Sequence, residues 1–300
     1  MKRFTKDPKN RVDSFWKKNR VLGEVKQDEA FIVECPCLFG NPDDLKLVQD
    51  AWKEENRHLK IPNMTGAIFI EGANPGDTLE VKIVEVKLTS NEGYMEALPG
   101  IGCFGSKIEK LEYKKIPQDQ NYIYFSKEIR FPSRPMLGKI GIAPLGPAMP
   151  SAVSGQYGGN MDNKEICKGA TIYLPIFVEG GLLCVGDIHA AQGDGELISG
   201  VETEADVTLI TRVLNNFEIS YPVLVNDKEL MTIANGKNIE EAASIALDEM
   251  AKILVKRLNI SYVDAAFLLS AAGDVRINQI VDPLFSVRVC IPRSIVPAFD

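Results

Sequence analysis

The strongest constraint on what this chain can fold into is the segregation of its two apolar periodicities. Through about residue 220 the apolar residues fall in short β-like runs broken by Gly and Pro, with one helical pattern after Asn41; from Asn238 a long helical stripe takes over. A doubly wound α/β chain would instead alternate strand and helix throughout. The pattern therefore predicts a mainly β protein, built of sandwich-like or barrel-like antiparallel sheets, with a C-terminal α+β module. The expected division is a β-rich region over 1–220 that carries the site and an α+β module over 221–300, packed into one integrated unit.

In chain order, residues 20–37 predict two strands, the second ending in Phe31-Ile32-Val33-Glu34-Cys35. Asn41-Pro42-Asp43-Asp44 supplies an N-cap, a proline at the first helical position and acids in the first turn, so a helix should follow with His58 at its tail as a solvated surface residue. Residues 66–72 and 78–88 predict strands joined by a Pro75-Gly76 turn. In the second, the apolar alternation changes face at Val84, which predicts a bulge. Residues 89–110 read as a loop, and 131–163, rich in Pro and Gly, as a long ordered loop. Residues 170–178 and 182–188 predict a hairpin around Glu179-Gly180-Gly181. Further strands are expected over 207–214, 217–225 and 230–234. Asn238 with Glu241 predicts a capped helix ended by Asn259, Ser261 caps a shorter one stopping at Gly273, and strands over 275–281 and 285–291 close the chain.

Chemistry concentrates in residues 186–196, GDIHAAQGDGE, which bring together Asp187, Asp194, Glu196 and one of only two histidines, His189. Alternation along the preceding strand puts Asp187 and His189 on one face at the strand end. A buried carboxylate beside a buried imidazole must be paired or must shift its pKa. Two readings stay open: a structural Asp–His hydrogen bond, or a divalent-metal site around which Ala190, Ala191, Gly193 and Gly195 let the loop wrap closely. Asp162, after Gly158-Gly159, is a candidate further carboxylate for that site.

A net charge of −7 without a local Lys/Arg cluster argues against a nucleic-acid partner, and no apolar run reaches the roughly 18 residues of a membrane span. The basic first residues lead into no apolar segment, so no secretory signal is expected and the cytoplasm is the expected location. Six scattered cysteines read as packing residues; the closest pair, Cys35 and Cys37, is a weak metal or redox signal. No G-x-G-x-x-G after a strand, Walker loop, H-E-x-x-H or G-x-S-x-G elbow is present.

Five segments carry a resemblance: EGANPGD at 71–77, GGNMD at 158–162, residues 169–175, the 186–196 stretch and residues 270–282. With these, nearly the whole chain resembles the metal-associated acetamidase/formamidase family, as distinct from the nitrilase-like formamidases. The resemblance implies a mainly β fold with jelly-roll-like and barrel-like antiparallel sheets, a homo-oligomer (dimer or higher), and hydrolysis of short linear amides such as acetamide or formamide to a carboxylate and ammonia with a divalent metal. The chain differs from many members in lacking a histidine near the N-terminus, around Asn10 to Phe15, and in lacking proline at Met64 and Ala67.

Under that reading, two histidines rule out a three-histidine zinc site within one subunit, so ligation leans on carboxylates. His189, Asp187 and Asp162 are the expected ligands, for zinc first and calcium second. Glu196 or Asp194 would act as general base and acid. A cysteine nucleophile fits poorly, because Cys184 faces away from Asp187 and His189 and Cys103 has no neighbouring base in sequence. The alternative from a different class is a non-catalytic β-protein that binds a divalent cation and a polar ligand through the same carboxylates.

Overall fold

The computed structural model describes residues 1–37, 39, 61–215 and 217–296, which form a mainly β protein with two helices near the C-terminal end. The helix expected after Asn41, and His58 with it, lie outside the described residues. Nine strands make the first sheet, in the order Lys2–Phe4, Phe31–Cys35, Ala205–Leu214, Thr78–Leu88, Thr171–Pro175, Val223–Val225, Glu229–Gly236, Phe285–Pro292 and Asp274–Gln279. Its strands alternate as half-buried strands must: Ala205, Val207, Leu209 and Val213 face the core while their neighbours face outward. Each such Val or Leu contributes about 1.5–3 kcal/mol by leaving water. The face change at Val84 is a bulge, since Glu85 pairs with Thr208 and Ile83 with Leu209, leaving Val84 over. Neither sheet closes on itself.

The second sheet, of ten strands, is centred on Leu183–His189, every residue of which is buried. One edge of this central strand pairs with Met136–Gly141. Along the other edge its first residues pair with Met64–Ile70 and its last two with Glu202–Thr203. Asp187 falls between those two partners, and the opposite ladder also passes it by, pairing Leu137 with Ile188 and Lys139 with Gly186.

Three expectations need correction. Residues 170–178 and 182–188 do not form a hairpin: Thr171–Pro175 lies in the first sheet and Leu183–His189 in the second. Gly180, Gly181 and Leu182, all at positive φ, swing the chain from one sheet to the other. The supposed loops hold strands, Glu92–Ala97 in one and Met136–Gly141 in the other. Met136–Gly141 is buried on both faces and so has no alternation to detect. Of residues 217–225, only Val223–Val225 is strand.

The last four strands lie side by side in the order Val223–Val225, Glu229–Gly236, Phe285–Pro292 and Asp274–Gln279. Asn238 accepts a hydrogen bond from the Glu241 N–H, Asn259 ends the helix Ile239–Leu258 in the left-handed conformation, and Ser261 caps Tyr262–Ala272 through the Asp264 N–H. Ala246, Met250 and Leu254 of the longer helix pack with Val223, Leu230 and Val289 of the sheet. Among the described residues, no helix is long and apolar enough to cross a membrane.

Candidate active site

The interruption at Asp187 builds the site. Freed from both ladders, Asp187 takes φ 57°, and its carboxylate accepts from Asn63 Nδ2 at 2.7 Å and lies 3.3 Å from Lys139 Nζ. His189, fully buried, sits two residues on, with Nε2 3.7 Å from Asp187 Oδ2. Antiparallel pairing puts Glu202 opposite His189, and Glu202 Oε1 lies 2.8 Å from the same Nε2, an ion-pair distance without hydrogen-bond alignment. Asp162 arrives from the segment after Gly158–Asn160, and Glu196 from the turn beyond the central strand, its Oε1 accepting from the Gly200 N–H at 3.1 Å. Gly138 makes room for this convergence: a Cβ there would lie 2.5 Å from both Asp162 Oδ1 and Asp187 Oδ2. Of six non-glycine residues at positive φ among those described, three are Asp162, Asp187 and Glu196. Strain of that kind persists where the surroundings impose it, and it clusters at functional sites.

A cavity of about 70 Å³ opens onto these groups, lined by the carboxylates and Lys139 together with Phe39, Ile61, Ile198 and Val281. A water needs roughly 10–15 Å³ of such space, so the cavity suits a molecule of a few heavy atoms. Burial pushes the Glu196 carboxyl up to about 8, with His189 opposing and Asp282 adding to the rise. Burial likewise raises Asp282 to about 7, Asp162 well above its ordinary range, and Glu96 to about 8. Burial opposes charge on His189, but Glu202, Asp187 and Glu196 outweigh it and hold the imidazole well above its usual value. Lys139 follows the same logic, raised by Asp187, Asp162, Asp282 and Glu202 against the cost of burial. These are acids crowded until some must hold protons unless a cation joins them.

A model of the acetamidase/formamidase family matches residues 2–152 and 147–298, nearly the whole described chain. The chain belongs to that family. An acetamidase structure from Bacillus halodurans superposes with TM-score 0.89 at 34% identity, covering 97% of each chain. A predicted acetamidase/formamidase from Thermoanaerobacter tengcongensis gives 0.89 at 33%, covering 98% of this chain and 97% of the other. A formamidase from Methylophilus methylotrophus is 26% identical over 238 residues, 59% of this chain and 57% of that one. The chain thus spans less than two thirds of the length of the curated relatives it matches.

In this acetamidase/formamidase family member, four of the five residues singled out by sequence meet: Asp162, Asp187, His189 and Glu196. Asp194 does not join them. Its carboxylate is held by fully buried Arg288 at 2.8 and 2.9 Å and by Lys164 at 2.9 Å, and these cations keep it ionised below its ordinary range despite partial burial. Sequence reading missed Glu202, Asp282, Lys139, Asn63 and Glu96. Of these only Asp282 lay in a segment carrying the family resemblance; the others reach the site through strand register and turns that no local pattern encodes.

The donor set fits a divalent cation. Asp162, His189 and Glu196 bring one ligand atom each within 4.8 Å of one another, and so do Asp187, His189 and Glu202. Asp162 Oδ1, Glu196 Oε2 and His189 Nε2 are buried with no hydrogen-bond partner. An unsatisfied buried group costs about 1–3 kcal/mol, more when charged, and a cation held among them, directly or through its bound water, would answer that cost.

Proposed function

We propose that this chain hydrolyses short linear amides of the formamide and acetamide kind to a carboxylate and ammonia, with a divalent cation held by His189, Asp187 and Asp162. The observation that carries the reading is the convergence of buried, unsatisfied acceptors around one histidine beside a cavity of about 70 Å³. The mixed nitrogen and oxygen donors suit zinc first, with calcium as the harder alternative. Bound there, such a cation would supply Lewis-acid polarisation of the amide carbonyl and a readily ionised water. The family relatives named acetamidase and formamidase support the same substrate class.

The chain's own groups then have definable tasks. Glu196, raised to about 8 and so divided between its two forms near neutrality, would in its ionised form take a proton from the attacking water as the C–O bond forms and return that proton to nitrogen as the C–N bond breaks. Lys139 places a positive charge 3.3 Å from the Asp187 carboxylate and faces the cavity where negative charge would develop on the carbonyl oxygen. The apolar side chains of Ile61, Ile198 and Val281 that line the cavity would face the hydrogen or methyl substituent of the amide. A homo-oligomer acting in the cytoplasm completes the proposal.

Ammonia release from formamide and acetamide tests it. Turnover is expected with at least one of them, lost on chelation and restored by added zinc. Protein that retains a divalent cation but releases no ammonia from either would favour the binding-only alternative.

A further inference from the structure

We infer that Gln192 is a positioning residue that keeps the His189 proton on Nδ1 and so commits Nε2 to the carboxylate cluster. The inference rests on the cation reading above but is tested apart from it. Gln192 Oε1 or Nε2 could in principle face the ring, since the two ends of an amide differ only in which atom donates. Here the far end decides. The amide's other terminus lies 2.5 Å from the Asp162 carbonyl and 3.3 Å from the Asn278 carbonyl, two acceptors that only the NH₂ end can satisfy. The oxygen is therefore the atom 2.7 Å from His189 Nδ1, and Nδ1 must donate to it. Whether the ring is neutral or charged, that proton stays, and Nε2 is left as the nitrogen that exchanges a proton or takes a ligand.

The carbonyls that orient the amide are themselves fixed. Asn278 O also accepts from the Gly195 N–H at 3.0 Å, and the Asn278 side chain is held by Arg288 at 2.7 Å and Ser286 at 2.8 Å. Gly200 closes the remaining space at this ring edge, since a Cβ there would lie 2.3 Å from Nδ1. One amide thus ties the ring to the Asp162 segment and to the edge strand Asp274–Gln279.

The chain has only two histidines, so a His58→Gln background leaves a single imidazole to read by nitrogen-15 NMR. In metal-free protein at a pH that leaves the ring neutral, the proton is expected on Nδ1 and the lone pair on Nε2. Gln192→Glu keeps an acceptor for Nδ1 and should keep this pattern. Gln192→Leu should lose it and weaken the affinity for zinc alone by about 10- to 100-fold. A proton found on Nε2 in the parent protein overturns the inference, as does folded Gln192→Leu protein with the parent's ring pattern and zinc affinity. Neither readout uses amide turnover, so failure of the hydrolase reading leaves this test standing, and the reverse holds too.

Discussion

Asp194 and Glu196 stand two positions apart in a glycine-containing turn and meet opposite fates. Lys164 and Arg288 hold Asp194 ionised, whereas burial pushes Glu196 up to about 8. Only the second can trade protons near neutrality. Glu196→Gln should therefore lower ammonia release by about 10²- to 10⁴-fold with the fold intact. Asp194→Asn should instead strip buried Arg288 of its anion and cost roughly 1–3 kcal/mol of stability, discounted for the partial exposure of Asp194. Urea denaturation and turnover of both variants check this pair, and equal turnover losses with equal stability would contradict it. Glu96 offers a pH test. Its carboxyl is raised to about 8 by burial, then by Glu202, so the neutral form's contribution is complete below the ordinary value near 4.5 and is lost as pH rises through 8. Parent protein should lose melting temperature between pH 5 and 8 more steeply than Glu96→Gln; parallel curves would refute the assignment.

For the elements, the central strand Leu183–His189 carries the argument, and it explains what the sequence could and could not reveal. Alternation was enough to place Asp187 and His189 together, and cap chemistry was enough to mark Asn238, Asn259 and Ser261, because each is a local rule. Glu202 was invisible for a physical reason: it meets His189 through antiparallel register, and register follows from the whole sheet. The failed hairpin has a similar origin, since the three positive-φ residues at 180–182 change sheets rather than reverse the chain within one. Gly138 tests the geometry of this element. Its replacement by Ala would force a methyl against both Asp162 and Asp187, so Gly138→Ala should weaken zinc binding at least about 10-fold by titration calorimetry while far-UV circular dichroism is unchanged. Unaltered affinity would mean that those two carboxylates do not share a cation.

Across the whole molecule, two sheets share a core, and the charged cluster gathers at the point where the central strand of the second exchanges one neighbour for another, with Asp282 arriving from just beyond the edge strand of the first. The cysteines lie mostly apart from it: Cys103 is exposed, and the Cys184 thiol is pushed up to about 12 by burial. Cys103→Ala should leave turnover within about tenfold, a result that lost activity in folded protein would reverse. The central claim is that His189 anchors a cation on which amide hydrolysis depends. Elemental analysis of the parent chain and of folded His189→Ala tests it most directly: about one divalent ion per chain is predicted in the first and almost none in the second, whereas undiminished metal in His189→Ala would contradict the account.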